Sequence, residues 1–316
     1  MNEELCGIVI VDKPADISSA KAVAEIKKIF GVKKAGHTGT LDPFATGVLI
    51  CCLNKATRIS GFFLHGNKKY EGVLHLGIET DSFDCTGSIT SKCDRNDTGS
   101  CKLCDKISEK NIYDVFNQFQ GPLEQLPPVF SALKHNGVPL YKLARKGQPV
   151  QKPPRNIYIS EIKVLDINLP YIRFSVSCSA GTYIRSLCSD IGNALGCGGN
   201  LKSLKRTESC GFTIKEAITL PELKELSGRK EISEKVISLS KALRDMPAYI
   251  ADDVFEYKIL NGQPITEKLN ILNSENVSSG QIGKHIKVVN SNDNLLAIIK
   301  FDTEKNKYQY CCVFNN

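Results

Sequence analysis

The sequence predicts an α+β fold, and three observations carry that prediction. Short β-branched runs such as Gly7 to Val11 (GIVIV) and Val48 to Leu53 read as strands. Other segments keep helical spacing, as Val23, Ile26, Ile29 and Phe30 do. The two kinds mix without the regular strand–helix–strand rhythm of a doubly wound parallel sheet. At 316 residues, 41% hydrophobic and 24% charged, the chain has the length for about two domains and a sizeable core.

Taken in order, the strand Gly7 to Val11 ends in the turn Asp12-Lys13-Pro14. Ser18-Ser19 then cap a helix that Gly31 stops. Val48 to Leu53 is a buried strand, and Tyr70 to Ile78 is a second with alternating apolar positions. Thr80 to Gly87 is rich in turn residues. From Ser108 to Phe119 a helix places Ile112, Val115, Phe116 and Phe119 on one face. Pro127-Pro128 opens a loop-rich stretch running to Gln151. Ile157 to Ile167 and Tyr171 to Cys178 pair across a turn at Leu169-Pro170, and a helix from Thr182 to Leu195 follows Gly181. Pro247 divides a first domain, 1–246, from a second, 247–316, whose short strands (His285 to Val289, Leu295 to Phe301) suggest a small all-β module.

Composition narrows the function. No apolar run approaches the roughly 20 residues of a membrane span. The start, Met1 to Leu5 (MNEEL), is short and acidic, unlike an export signal, which leaves the cytoplasm as the expected compartment. The 13 cysteines are then expected to be mostly reduced thiols, many of them small core residues. Cys93, Cys101 and Cys104 cluster in the polar stretch Ser91 to Lys106, but one C-x-x-C lacks the second pair of a zinc ribbon, so a solvated insertion is expected rather than a metal site. A net charge of +7 permits a polyanionic partner.

The most informative stretch is Gly36 to Gly47, GHTGTLDPFATG. Its glycines admit positive φ and close approach, while Pro43 holds Asp42 out of helical geometry. A carboxylate displayed this way, just before an apolar strand, is placed to react; the same residue types also make ordinary solvated turns. It is not a P-loop, because Gly47 is followed by Val48 rather than Lys-Ser/Thr. In aspartyl-phosphate enzymes the nucleophilic Asp precedes a Lys-Thr-Gly-Thr element, whereas Asp42 follows Thr38-Gly39-Thr40. Three further residues stand out. Tyr70, behind Lys68-Lys69, suits stacking on a nucleobase and equally suits a half-buried strand. Arg185, early in its helix, has the planar fork that orients a carboxylate, though surface arginines are common. His37 is a loop histidine or a ligand contact.

Four strings in order resemble one family: GHTGTLDPFATGVL (Gly36 to Leu49), KKYEGVLHLGIETDSFDCTG (Lys68 to Gly87), PPVFSALKHNGVPLYKLARKG (Pro127 to Gly147) and CSAGTYIRSL (Cys178 to Leu187). Together they resemble the bacterial tRNA pseudouridine synthase B (TruB) family, isomerases acting at position 55 in the T-loop of tRNA. The resemblance implies a pseudouridine synthase core on a mixed, largely antiparallel sheet with flanking helices, and a C-terminal PUA-like RNA-binding β-barrel, the latter resting on Leu260 to Ile265. It implies Asp42 as the catalytic aspartate, Tyr70 as the residue stacked on the target base and Arg185 as the partner of the aspartate. His37, Lys13, Leu204, Gly39 and Thr40 are implied substrate contacts. No cofactor or metal, tRNA as the partner through its T-arm, and a monomer without an obligatory protein partner are also implied. Where the family usually has Gly, this chain has Asp16, a residue that tolerates left-handed geometry. An RNA-binding, tRNA-folding protein on the same fold and a guide-dependent synthase of ribosomal RNA are the alternatives.

Overall fold

The computed structural model describes residues 5–93, 106–228, 230–265, 285–302 and 304–314. Its strands up to residue 219 are β1 (Gly7–Lys13), β2 (Ala35–His37), β3 (Thr46–Leu53), β4 (Lys68–Leu76), β5 (Ile78–Thr80), β6 (Ile89–Lys92), β7 (Gly121–Gln125), β8 (Lys134–His135), β9 (Val138–Pro139), β10 (Arg155–Asn168), β11 (Tyr171–Cys178), β12 (Gly199–Ser209), β13 (Phe212–Thr213) and β14 (Ile218–Thr219). Ten of these form one sheet in the order β14-β1-β3-β12-β4-β11-β10-β7, with β2 added to β3 and β13 to β12. Only β1 with β14 and β3 with β12 run parallel. The mixed, largely antiparallel sheet expected from the sequence is therefore present.

Strand alternation explains how the sheet is covered. In β1 and β3, Ile8, Ile10, Val48 and Ile50 face one cluster, while Val9, Val11, Leu49 and Cys51 face another. The second cluster receives Ala22 and Ile26 from α1 (Ser19–Ile29). Ser18 caps this helix, its hydroxyl accepting from the Lys21 amide at 3.1 Å, and Gly31 follows its end at φ +61°. The remaining helices of this part are α2 (Ser60–Leu64), α3 (Glu109–Gln118), α4 (Leu140–Ala144) and α5 (Ile184–Ala194). Ile112 and Phe116 of α3 and Leu187, Cys188 and Ile191 of α5 cover β4, β10 and β11 through Leu74, Ile159, Ile162 and Phe174. Each fully buried Leu or Ile contributes about 1.5–3 kcal/mol.

Three elements differ from expectation. The stretch 127–151 is more regular than a loop: β8 and β9 form a hairpin at Asn136-Gly137, both at positive φ, and α4 follows. The helix predicted from Thr182 to Leu195 begins at Ile184, not Thr182, so Arg185 is its second residue. The C-terminal module is an open sheet among the described residues. It comprises β15 (Ala248–Ile250), β16 (Ile286–Val289), β17 (Leu295–Asp302) and β18 (Lys307–Val313) in that order, with β15 and β18 left as edges instead of closing a barrel. Residues 266–284 lie outside the described part. This sheet shares a core with the larger sheet, Val289, Leu295, Ile298 and Phe314 meeting Ile8, Ile10, Val48 and Ile50.

Asp16 takes φ +65°, the left-handed geometry expected where the family has Gly. The free cysteines include buried Cys51, Cys52, Cys178, Cys188 and Cys197. Cys93 departs from the expected thiols in being disulfide-bonded, and Cys101 and Cys104 lie outside the described residues. No helix among the described residues is long and apolar enough to cross a membrane.

Candidate active site

The loop bearing Asp42 is fastened at both ends and in the middle. At its ends, Arg206 of β12 donates from Nη2 to the Gly39 carbonyl (3.0 Å) and from Nε to the Val48 carbonyl (2.7 Å). In the middle, the Ser19 hydroxyl donates to the Leu41 carbonyl and accepts from its amide, at 3.0 and 2.9 Å. Lys13, fully buried, donates to the carbonyls of Pro14, Ile17 and Pro43 at 2.7, 2.8 and 3.1 Å. Two glycines are required here. Gly39 has φ +95°, and Gly47, at φ +102°, lies so close to β12 that a Cβ would sit 2.2 Å from the Arg206 carbonyl oxygen.

Arg185 reaches this loop from the opposite half of the sheet. The start of α5 is held by Gln125 at the end of β7, whose side-chain amide accepts from the Tyr183 amide (2.8 Å) and donates to its carbonyl (3.0 Å). Ser186 adds a bond to the Leu126 carbonyl at 2.9 Å. From there Arg185 donates Nε to Asp42 Oδ2 at 2.9 Å and Nη2 to Oδ1 at 3.2 Å, a bidentate pair. Its remaining donors meet the carbonyls of Ser82 (3.0 Å) and Phe130 (2.8 Å), and Asp84 Oδ2 lies 3.6 Å away. Asp84 is itself held on Oδ1 by the Ser82 hydroxyl and by the amide and hydroxyl of Thr86.

The Arg185 side chain is 4% exposed and that of Asp42 is 34% exposed, so the carboxylate alone of this pair opens outward. It opens into a cavity of about 300 Å³, the lower end of the range for small-molecule sites. Gly39, Thr40, Tyr70, Leu204 and Arg206 line it with Asp42 and Arg185. Burial raises the Asp42 pKa above its ordinary 3.8, the Arg185 guanidinium opposes this and the Asp84 charge reinforces it. Burial likewise raises the Tyr70 phenol, against the Arg206 guanidinium beside it. An aromatic ring, an aliphatic side chain and a carboxylate around one small cavity can hold a planar heterocycle and act on the atom attached to it.

The family model described as TruB family pseudouridylate synthase, N terminal domain, matches residues 27–184, and that described as tRNA pseudouridylate synthase B C-terminal domain matches 185–250. The chain belongs to the TruB family of pseudouridylate synthases. Among its relatives is the tRNA pseudouridine synthase B of Francisella tularensis subsp. tularensis, 42% identical over 265 residues, 82% of this chain and 85% of that one. The protein of the same name from Francisella philomiragia subsp. philomiragia is 44% identical over 245 residues, 78% of each chain. Solved structures agree in fold. A Cbf5–Nop10–Gar1 complex matches with a TM-score of 0.74 at 27% identity, covering 99% of this chain and 85% of that one. An H/ACA RNP bound to a substrate RNA containing 2'-deoxyuridine matches with 0.71 at 25%, covering 98% and 85%.

Within this TruB-family chain the cavity gathers Asp42, Tyr70, Arg185, Leu204, Gly39 and Thr40 from the residues singled out in the sequence. Two others stand apart from its wall. Lys13 has all three ammonium donors on main-chain carbonyls, and burial pulls its pKa down to about 8. His37, at the end of β2, has a buried Nδ1 without a hydrogen-bond partner, and burial with the nearby Arg206 lowers its pKa. Sequence reasoning gave no site role to Ser19, read only as a helix cap, or to Asp84, Gln125 and Arg206. Arg206 was findable: it lies two positions from Leu204 in an alternating strand and so shares its face. Asp84 and Gln125 act through contacts more than fifty residues away and left no local signal.

Proposed function

We propose that this chain converts uridine 55 in the T-loop of tRNA to pseudouridine, acting as a monomer on the T-arm in the cytoplasm without a cofactor. The observation that carries the reading is the Asp42 carboxylate, oriented by Arg185 and open to a nucleoside-sized cavity walled by Tyr70 and Leu204. The reaction is an isomerisation: the N1–C1′ bond opens, the uracil turns, and a C5–C1′ bond closes, with no net redox change or hydrolysis. Asp42 supplies the ionised carboxylate that attacks C1′ or removes a sugar proton. Arg185 favours its ionised form and fixes its aim.

The target base has to leave the T-loop stack, at a cost of a few kcal/mol, and stacking on Tyr70 with packing on Leu204 offsets that cost. Gly39 and Thr40 let the RNA approach the loop closely, and His37 keeps the T-loop open. Lys13 acts from behind, as a positioning residue that ties Pro43 to the end of β1. We assign residues 1–246 to catalysis and 247–316 to RNA binding.

Wild type and Asp42→Asn are incubated with an unmodified T-arm stem-loop, and pseudouridine is mapped by chemical labelling. Conversion by the wild type alone is expected. No conversion by either protein, with RNA binding intact, would sink the stand-alone synthase in favour of an RNA-folding protein or a guide-dependent machine.

A further inference from the structure

We propose that Arg206 is a catalytic residue of the isomerisation, its guanidinium neutralising the negative charge that gathers on the uracil when the N1–C1′ bond opens. The proposal rests on the uridine-isomerising reading above. It starts from an electrostatic imbalance. Arg206 is 1% exposed, and among the described residues no carboxylate lies within ion-pair distance of it. Arg185, buried to a similar degree, has both Asp42 and Asp84. A buried cation without a counter-charge is costly, and such costs are retained where a ligand supplies the missing charge.

Position says which part of the substrate that is. Arg206 lies opposite Tyr70 in the β12–β4 register and two residues along from Leu204, so all three side chains share one face of the sheet. All three line the cavity. The two residues flanking Arg206 there are those read as the base's stacking and packing walls, which puts the guanidinium at the base rather than at its phosphate. Its main-chain bonds use Nε and Nη2. Nη1 makes neither of them and lies 3.6 Å from where a Gly39 Cβ would be, at the cavity wall that glycine leaves open. Lys13, His37 and Lys68 all feel Arg206 as a charge that lowers their pKa, consistent with an uncompensated positive field at this spot.

The step balances as follows. The electron pair of the N1–C1′ bond leaves with the base, giving a uracil anion whose charge is shared by N1, O2 and O4. C1′ is captured by the Asp42 carboxylate, or forms a double bond to C2′ as Asp42 takes the C2′ proton. After the base turns, C5 bonds to C1′; Asp42 departs, or returns its proton to C2′. The C5 proton is lost and N1 gains one. Charge on the ring is greatest between the two bonds, and Arg206 acts there, as donors in an oxyanion hole do.

Because Arg206 also fastens the Asp42 loop, its loss alone does not separate the two roles. The leaving group does. Fluorine at C5 acidifies the ring, so a 5-fluorouridine base departs as an anion with less help. Single-turnover loss of the N-glycoside is measured on uridine and 5-fluorouridine stem-loops for wild type and Arg206→Gln. The expected loss is about 10²-fold on uridine, the range for removing one such donor, and about tenfold or less on 5-fluorouridine, with RNA affinity within a few-fold of wild type. Equal losses on both substrates would reduce Arg206 to a loop fastener and overturn the proposal. Where Arg206→Gln fails to fold by circular dichroism, Arg206→Lys is read by the same comparison, again with the larger loss expected on uridine. A wild type inactive on both RNAs would instead refute the function on which the proposal stands.

Discussion

Asp42 and Arg185, 143 positions apart in the chain, meet through two hydrogen bonds of 2.9 and 3.2 Å, and only the aspartate is left facing the cavity. The pair is asymmetric. Without Asp42, Arg185 keeps Asp84 and two carbonyls; without Arg185, two neighbouring carboxylates lose their shared cation. Urea unfolding is therefore expected to show a change of no more than about 1 kcal/mol in Asp42→Asn, whose neutral amide suits the buried position and keeps one of the two bonds. Arg185→Met is expected to lose about 3–5 kcal/mol, as for a broken buried pair. Both abolish conversion, so equal destabilisation would count against this account of the pair.

The same geometry predicts a pH profile. Catalysis needs ionised Asp42, whose pKa burial raises above 3.8, so conversion is expected to fall as pH drops through that raised value. Asp84 contributes to the rise, so Asp84→Asn shifts the acid limb of kcat/KM to lower pH. The stability sign is the reverse of that for a carboxylate whose pKa folding lowers, because here burial outweighs the Arg185 ion pair. The folded chain holds the Asp42 proton more tightly than the unfolded chain, so this group's contribution declines as pH rises from 3.8 through the raised pKa, and is flat above it. An acid limb unmoved in Asp84→Asn would show that another group governs it.

Lys13 gives a prediction at the alkaline end. Its folded pKa is about 8 against an ordinary 10.5, so the unfolded chain binds this proton more tightly and stability rises between those two values. Lys13→Met removes that segment of the pH–stability curve. Releasing Pro43 lets the Asp42 loop drift, and kcat is expected to fall about 10–10²-fold with RNA affinity kept, the cost of misplacing a reacting group by about an ångström. A loss of affinity with kcat unchanged would make Lys13 a substrate contact instead.

Tyr70 separates stacking from hydroxyl chemistry. Tyr70→Leu is expected to weaken binding of a stem-loop with its target base flipped by about 1–3 kcal/mol, the worth of one base–aromatic stack. Tyr70→Phe keeps that affinity. Fluorescence titration gives both numbers, and any fall in kcat for Tyr70→Phe alone measures what the hydroxyl adds at C5.

Local patterns announced what local forces decide. The caps around Ser18 and Gly31, the hairpin of β10 and β11 and the turn-forming glycines of the Asp42 loop were legible because each depends on residues a few positions apart. Asn136-Gly137 was legible too, and went unread inside a proline-rich stretch. Within the site, Asp42, Tyr70 and Arg185 stood out from their own surroundings, but their roles, and Leu204 altogether, came only through the joint resemblance of distant strings. Each side chain alone fits a commonplace structural role. Asp84 and Gln125 were hidden for a different reason: what distinguishes them is a partner across the fold.

The seam between the two parts of the chain has its own consequence. Phe314 lies under the Arg58 guanidinium, which also donates to the Val313 carbonyl, and its ring joins the cluster holding Ile8, Ile10, Val48 and Ile50. A fragment stopping at residue 246 would bare that stripe on the back of the strands that carry the Asp42 loop. It would be prone to self-association and quick to be digested, however complete its catalytic residues. Phe314 and the sheet before it are thus a keystone for β1 and β3, and a useful minimal enzyme would have to be cut elsewhere or given a new polar skin.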